Sequence, residues 1–178
     1  MAALSLSRGC LSTPSQRLAL TKISSLHRLH LFVNCSNIWL ALVLSKHTHH
    51  RAARAWLEGQ PESVSLCFCR ATQQGLVRLL TTAEVLAGYG NPPLSNRDAW
   101  DVIDGFMKDE RFTFANEPEG VEETWKVLAI RDTHSPKLWM DAYLAAFAIR
   151  SGFQMITTDR AFSQFSGLDL LVLPARKS

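Results

Sequence analysis

A chain of 178 residues with net charge +3, 47% hydrophobic and 20% charged residues has the length of one domain and enough apolar material for a core without disulfide or metal staples. Its longest apolar run, Ile38 to Leu44, is core material for a strand or a helix and falls far short of the roughly 20 residues a membrane-spanning helix needs. A soluble, cytoplasmic protein with no membrane partner is therefore expected.

The charge is unevenly placed. Residues 1–57 carry seven Lys or Arg and no acid, whereas residues 58–178 carry 12 basic and 16 acidic groups, a balance of 12 − 16 = −4. The net positive charge therefore does not describe a basic nucleic-acid footprint for the whole chain. Any polyanion has to be met by a local patch or through a metal ion. Residues 1–30 are acid-free, contain Ser and Arg, and lack a continuous apolar core. That composition suits a transit-like segment or a stretch added by an upstream start codon. The expected organisation is a non-core extension over 1–30, one domain over 31–174 and a tail over 175–178.

In chain order, Leu29–Val33 reads as a short apolar strand, and the apolar segment Asn37–Leu44 follows with few breaks. His47–Leu57 reads as a helix with Ala52, Ala53, Trp56 and Leu57 on one side, stopped by Gly59-Gln60-Pro61. Its leading His47, His49 and His50 are expected to be solvated. Alternating apolar residues make Val64–Cys69 a strand, and Thr72–Leu80 a helix that groups Leu76, Leu79 and Leu80. Cys67 and Cys69, with Cys10 and Cys35, are read as small buried hydrophobes of a reducing compartment, since no second ligand pair at zinc spacing follows.

Asn91-Pro92-Pro93 breaks the chain, and Ser95 or Asn96 caps a helix to about Lys108. Arg111–Ala115 is a short strand and Pro118–Ala129 a helix with Glu119, Glu122 and Glu123 in its first turns, where the helix dipole favours acids. The acid-rich stretch from Asp98 to Glu123 reads as a solvated face. Ser135-Pro136 opens a helix over Lys137–Arg150, closed by Gly152. Phe153–Thr157 is a strand, Arg160–Phe165 a short helix, and Leu168–Leu173 a last strand. Strands alternating with helices predict one α/β domain whose mainly parallel central sheet is flanked by helices on both faces.

Two acids carry the chemistry. Asp141 interrupts a helix apolar on nearly every side, so it is expected to be buried and in need of a partner or a cation; a salt bridge to Lys137 is the structural alternative. Asp159 follows Thr157 at the carboxyl end of a strand, where ligand-binding groups gather in parallel sheets; a helix N-cap is its alternative role. Two carboxylates converging on a hydrated site suit Mg²⁺ or Mn²⁺.

The stretch DAYLAAFAIRSGFQMITTDRAFSQFSGL, Asp141 to Leu168, resembles the C-terminal signature of PIN domains of the VapC type. NIWLALVLSKHTHHRAARAWL, Asn37 to Leu57, resembles their N-terminal signature, and CFCRATQQGLVRLLT, Cys67 to Thr81, the middle of one VapC subgroup. The likeness spans residues 31–173. It implies a metal-dependent ribonuclease toxin using Mg²⁺ or Mn²⁺, with RNA as substrate, a small antitoxin as partner and a homodimeric state. Under it Asp141 and Asp159 are catalytic and metal-binding, and Asn37 matches the Asn that accompanies the family's first acid. That acid falls at Cys35, a degenerate position. A further family Glu is also missing, with Gln73 near its place. Thr157, Gln73, Arg70 and Arg78 are candidate site-lining or RNA-contacting residues. The alternative is a weakened PIN module that binds RNA or an antitoxin without cutting. A second open point is whether Asn34 stands near the lost acid.

Overall fold

The computed structural model describes residues 31–174. Cys10, Leu29, His30 and the expected extension and tail lie outside the described residues. In order, the elements are β1 (Leu31–Asn34), α1 (Ser36–Val43), α2 (His50–Glu58), β2 (Ser65–Phe68), α3 (Arg70–Leu80), α4 (Ala83–Ala87), α5 (Asn96–Met107), β3 (Phe112–Phe114), α6 (Val121–Ala129), α7 (Leu138–Ser151), β4 (Gln154–Thr157), a 3₁₀ turn (Arg160–Gln164) and β5 (Leu170–Val172).

The sheet has the order β3-β2-β1-β4-β5, and every neighbouring pair is parallel. Parallel strands must be joined by crossovers, so the intervening helices are driven onto the two faces. Alternation puts Val33, Cys67 and Met155 on one face and Phe32, Leu66, Phe68 and Ile156 on the other; all are buried. On the second face Trp39 of α1 stacks on Phe68 with ring centroids 3.7 Å apart, and Trp56 of α2 meets Phe32 edge-on at 5.3 Å. Helices α6 and α7 pack on each other, and α7 packs on β4.

Local chemistry sets several boundaries. The apolar segment after β1 resolves as the helix Ser36–Val43, with Cys35 before it and Leu44 after it in extended conformations. Ser95 caps α5 through a reciprocal box in which the Asp98 amide donates to Ser95 Oγ at 3.1 Å. Gly152 ends α7 at φ 66°, a conformation that favours glycine. The α1–α3 contact also demands a glycine. A Cβ on Gly75 would collide with Ser36 Oγ and stand 3.1 Å from Ser36 Cβ.

Three expectations are corrected. Helix α7 is not buried nearly all round: Leu138 and Ala142 to Ala148, Tyr143 partly, face the core, while Trp139 and Met140 are 58% and 52% exposed. The histidines at the α1–α2 junction are half-buried and structural. His50 Nδ1 lies 2.7 Å from the Ala41 carbonyl, His49 Nδ1 lies 3.3 Å from that of Pro174, and His47 stacks on Tyr89. Burial and its two neighbouring histidines hold the His47 pKa below the usual value. The third correction is α4, which the sequence reading did not anticipate. Among the described residues no helix is long and apolar enough to cross a membrane.

Candidate active site

All five strands point the same way, so the segments following β1, β2, β3 and β4 emerge along one rim of the sheet. Cys35 follows β1, Cys69 and Arg70 follow β2, Ala115 to Glu117 follow β3, and Thr158 and Asp159 follow β4. Helix α7 runs back from that rim into β4, which sets Asp141 in its first turn at the same edge.

Asp141 and Asp159 converge there. The Asp141 carboxyl is held above the usual carboxylate range first by partial burial and then by the negative charge of Asp159; Lys137 opposes the shift. This corrects the expected full burial: Asp141 is half-exposed, as its turn of α7 faces the rim. The N-cap weighed for Asp159 is present: its Oδ1 accepts the Ala161 amide at 2.8 Å, capping the 3₁₀ turn, while its charge contributes to the raised Asp141 pKa.

Thr157 is fully buried and links the rim together. Its Oγ1 accepts the Asp159 amide at 3.0 Å and lies 3.2 Å from Cys35 Sγ. Cys35 itself is buried. Desolvation raises its thiol pKa against lowering hydrogen bonds from Thr157 and the amides of Ile38, Asn37 and Thr158, so it is a neutral thiol at physiological pH. Asn37 is exposed in the first turn of α1. Asn34 does not stand at the rim. Its side chain points into the core, fully buried, and both amide atoms lack a hydrogen-bond partner among the described residues.

The remaining candidates divide. Arg70 opens α3 at the rim, donates to Gln73 Oε1, and lies over the Phe114 ring at 4.5 Å. Arg78 is eight residues further on, about 12 Å along the helix axis, beside a separate hollow with Asn96 and Trp100. It is not brought to the acid pair. Sequence reasoning missed Glu117, which it assigned to a solvated acidic face. Glu117 accepts a hydrogen bond from Tyr143 Oη at 2.7 Å, and the signal was its place just beyond a strand's carboxyl end.

The acid pair fits a hard divalent cation. Two carboxylates that repel one another across a partly hydrated gap are oxygen donors of the kind Mg²⁺ accepts together with water and substrate phosphate. They do not form a wider ligand shell: among the described residues no group of three His, Cys, Asp or Glu side chains gathers to hold a metal. Neutral, buried Cys35 is no replacement, because a thiol is a poor ligand for such an ion.

A parallel α/β sheet with paired acids at its carboxyl rim is the arrangement of a PIN domain, and the PIN domain family model matches residues 36–168, beginning one residue past Cys35. The chain belongs to the PIN domain family. It is 53% identical over 139 residues to Ribonuclease VapC41 of Mycobacterium tuberculosis, covering 78% of this chain and 95% of that protein. Ribonuclease VapC44 of the same organism is 30% identical over 127 residues, covering 71% and 84%. Among solved structures, VapBC2 from Rickettsia felis bound to a promoter DNA fragment superposes with a TM-score of 0.57 at 12% identity. Mycobacterium tuberculosis VapC20, a sarcin-ricin loop cleaving toxin, superposes with 0.56 at 18%. Each match covers 81% of this chain and 99% of the other, and at these identities the likeness concerns the fold.

Proposed function

We propose that this chain is a VapC-type toxin, a ribonuclease that hydrolyses RNA phosphodiesters with Mg²⁺ or Mn²⁺ held by Asp141 and Asp159. What supports the reading is the placement of Asp141 and Asp159 at the carboxyl rim of a PIN sheet, where the charge of Asp159 helps hold the Asp141 carboxyl above the usual range. A divalent ion bound there supplies an activated water and offsets negative charge on the phosphate. Asp159 is fixed for its role by the Ala161 cap and the Thr157 bond. Asn37, exposed on the first turn of α1, orients a water at the rim. Arg70 offers its guanidinium to a phosphate.

A cognate antitoxin is the proposed protein partner, by analogy with the Rickettsia felis VapBC2 assembly. The exposed apolar residues Val127, Ile130, Trp139 and Met140 supply a face for a homodimer.

The second reading, a PIN module that binds without cutting, is favoured by Cys35. One experiment separates the two: cleavage of a mixed tRNA and structured RNA pool with Mn²⁺ or Mg²⁺ by the parent, Cys35→Asp and Asp141→Asn. Parental cleavage that vanishes in Asp141→Asn supports a working nuclease. Cleavage by Cys35→Asp only means a disabled copy, and parental cleavage unchanged in Asp141→Asn sinks the assignment of the site.

A further inference from the structure

Resting on the ribonuclease reading, we propose that the hollow beyond β3 is a base-reading subsite for a guanine in the single-stranded RNA substrate, with Glu117 as its specificity-determining residue. A cavity of about 190 Å³ lies there, lined by Arg70, Phe114, Asn116, Glu117, Tyr143 and Phe147. It is small for a drug-sized ligand, and its walls combine a cation, flat rings and a carboxylate. Arginine interleaved with aromatics is how proteins hold unstacked bases, which lie on rings or on the guanidinium plane. Arg70 is already parked over Phe114 at 4.5 Å and tied to Gln73, so its plane is held before a base arrives.

Glu117 supplies the discrimination. The Tyr143 hydroxyl donates to Glu117 Oε1 at 2.7 Å, and burial together with that carboxylate raises the phenol pKa, so the hydroxyl stays protonated and remains a donor. The bond holds the carboxylate in place while Oε2 and a second lone pair of Oε1 stay available. A carboxylate with both oxygens presented matches adjacent N–H donors on one edge, and among the four RNA bases only guanine offers two, N1–H and the 2-amino group. Adenine, cytosine and uracil each present a single donor group there.

The position suits the proposed chemistry. β2 and β1 separate the ends of β3 and β4, so the hollow is about 14 Å along the rim from Asp159 at a strand spacing of roughly 4.8 Å. Tyr143 and Asp141 share one stretch of α7 but project about 200° apart around it, Tyr143 toward Glu117 and Asp141 toward Asp159. A short single strand crossing the start of α7 reaches both.

The test uses the whole chain with EDTA present, so that binding is read without cutting. Fluorescence anisotropy is measured on short labelled oligouridylates carrying one guanosine, adenosine or inosine. Inosine keeps N1–H and lacks only the 2-amino group. The guanosine strand is expected to bind about tenfold more tightly than the inosine strand, and Glu117→Gln to erase that difference. Phe114→Leu is expected to weaken both purine strands alike. Equal affinity for guanosine and inosine, discrimination that survives in Glu117→Gln, or no binding of any strand overturns the subsite. Cleavage of the mixed pool by the parent and Asp141→Asn judges the nuclease reading separately: cutting without discrimination ends only the subsite, and discrimination without cutting ends only the nuclease.

Discussion

Cys35 Sγ lies 3.2 Å from Thr157 Oγ1, which joins the carboxyl ends of two neighbouring parallel strands by a contact between side chains 122 residues apart. The same Thr157 oxygen receives the Asp159 amide. The thiol is buried and its pKa is raised by desolvation, so it contributes no charge to the rim.

Replacing Cys35 by Asp is expected to act in opposite directions with and without metal. In metal-free buffer the new carboxylate is desolvated, so Cys35→Asp should lower the thermal midpoint. With Mn²⁺ the added ligand charge should deepen binding, giving a larger metal-induced rise in midpoint than in the parent. Differential scanning fluorimetry across a Mn²⁺ series measures both; an identical response in the two proteins would remove Cys35 from the site.

Asp141 carries a pH dependence whose sign follows from its raised pKa. The folded state binds this proton more tightly than the unfolded chain, so Asp141 favours folding at low pH. That contribution fades as pH rises from the ordinary carboxylate value through the raised one. Above that window the ionised pair is a net cost, and Asp141→Asn should stabilise the metal-free protein at pH 7 while abolishing cleavage. Urea melts of both proteins at pH 7 and in mild acid check the first part. On the proposed function, metal-dependent cleavage by the parent should likewise fall as the pH drops into that window.

Gly75→Ala places a methyl group against Ser36 Oγ. Overpacking at a helix contact costs about 1–3 kcal/mol, and the strain falls on the first turn of α1, which also carries Asn37. Ser36→Gly in the same chain should recover most of the loss. Urea melts of the two single variants and the double variant read the coupling, and strict additivity would contradict the contact.

Asn34 is a buried amide with no partner among the described residues, set beside Ile156 in the sheet register. An unpaired buried polar group costs about 1–3 kcal/mol, whereas an apolar side chain of similar shape bears no such cost. Asn34→Leu should therefore raise unfolding free energy by an amount of that order, measured by chemical denaturation. A loss of stability would mean the amide is satisfied in solution.

Much of the scaffold was legible along the chain because its causes are local. Alternating apolar runs mark strands, Asn91-Pro92-Pro93 and Gly152 mark stops, and Ser95 with Asp98 forms a cap whose partners are three residues apart. The alternation of strands with helices implied the parallel sheet. Asp141 and Asp159 were visible because each violates its surroundings, one an acid in an apolar helix and the other an acid at a strand's end. The same local reading overstated the burial of α7, since periodicity reports which faces are apolar and not how far a helix projects past the sheet.

Position across the sheet could not be read in this way. Whether Asn34 or Cys35 faces Thr157 depends on strand register, where a shift of one residue reverses every side chain. The standing of Glu117 turned on a partner 26 residues away, Tyr143 on another helix. Sequence by itself determined the strands, most of the helices and their order, and singled out the two acids, because hydrophobic period, turn chemistry and an acid's mismatch with its neighbours act over a few residues. Only the tertiary structure decided what meets at the rim, because electrostatic coupling and hydrogen bonding depend on distance through space, which the crossovers set.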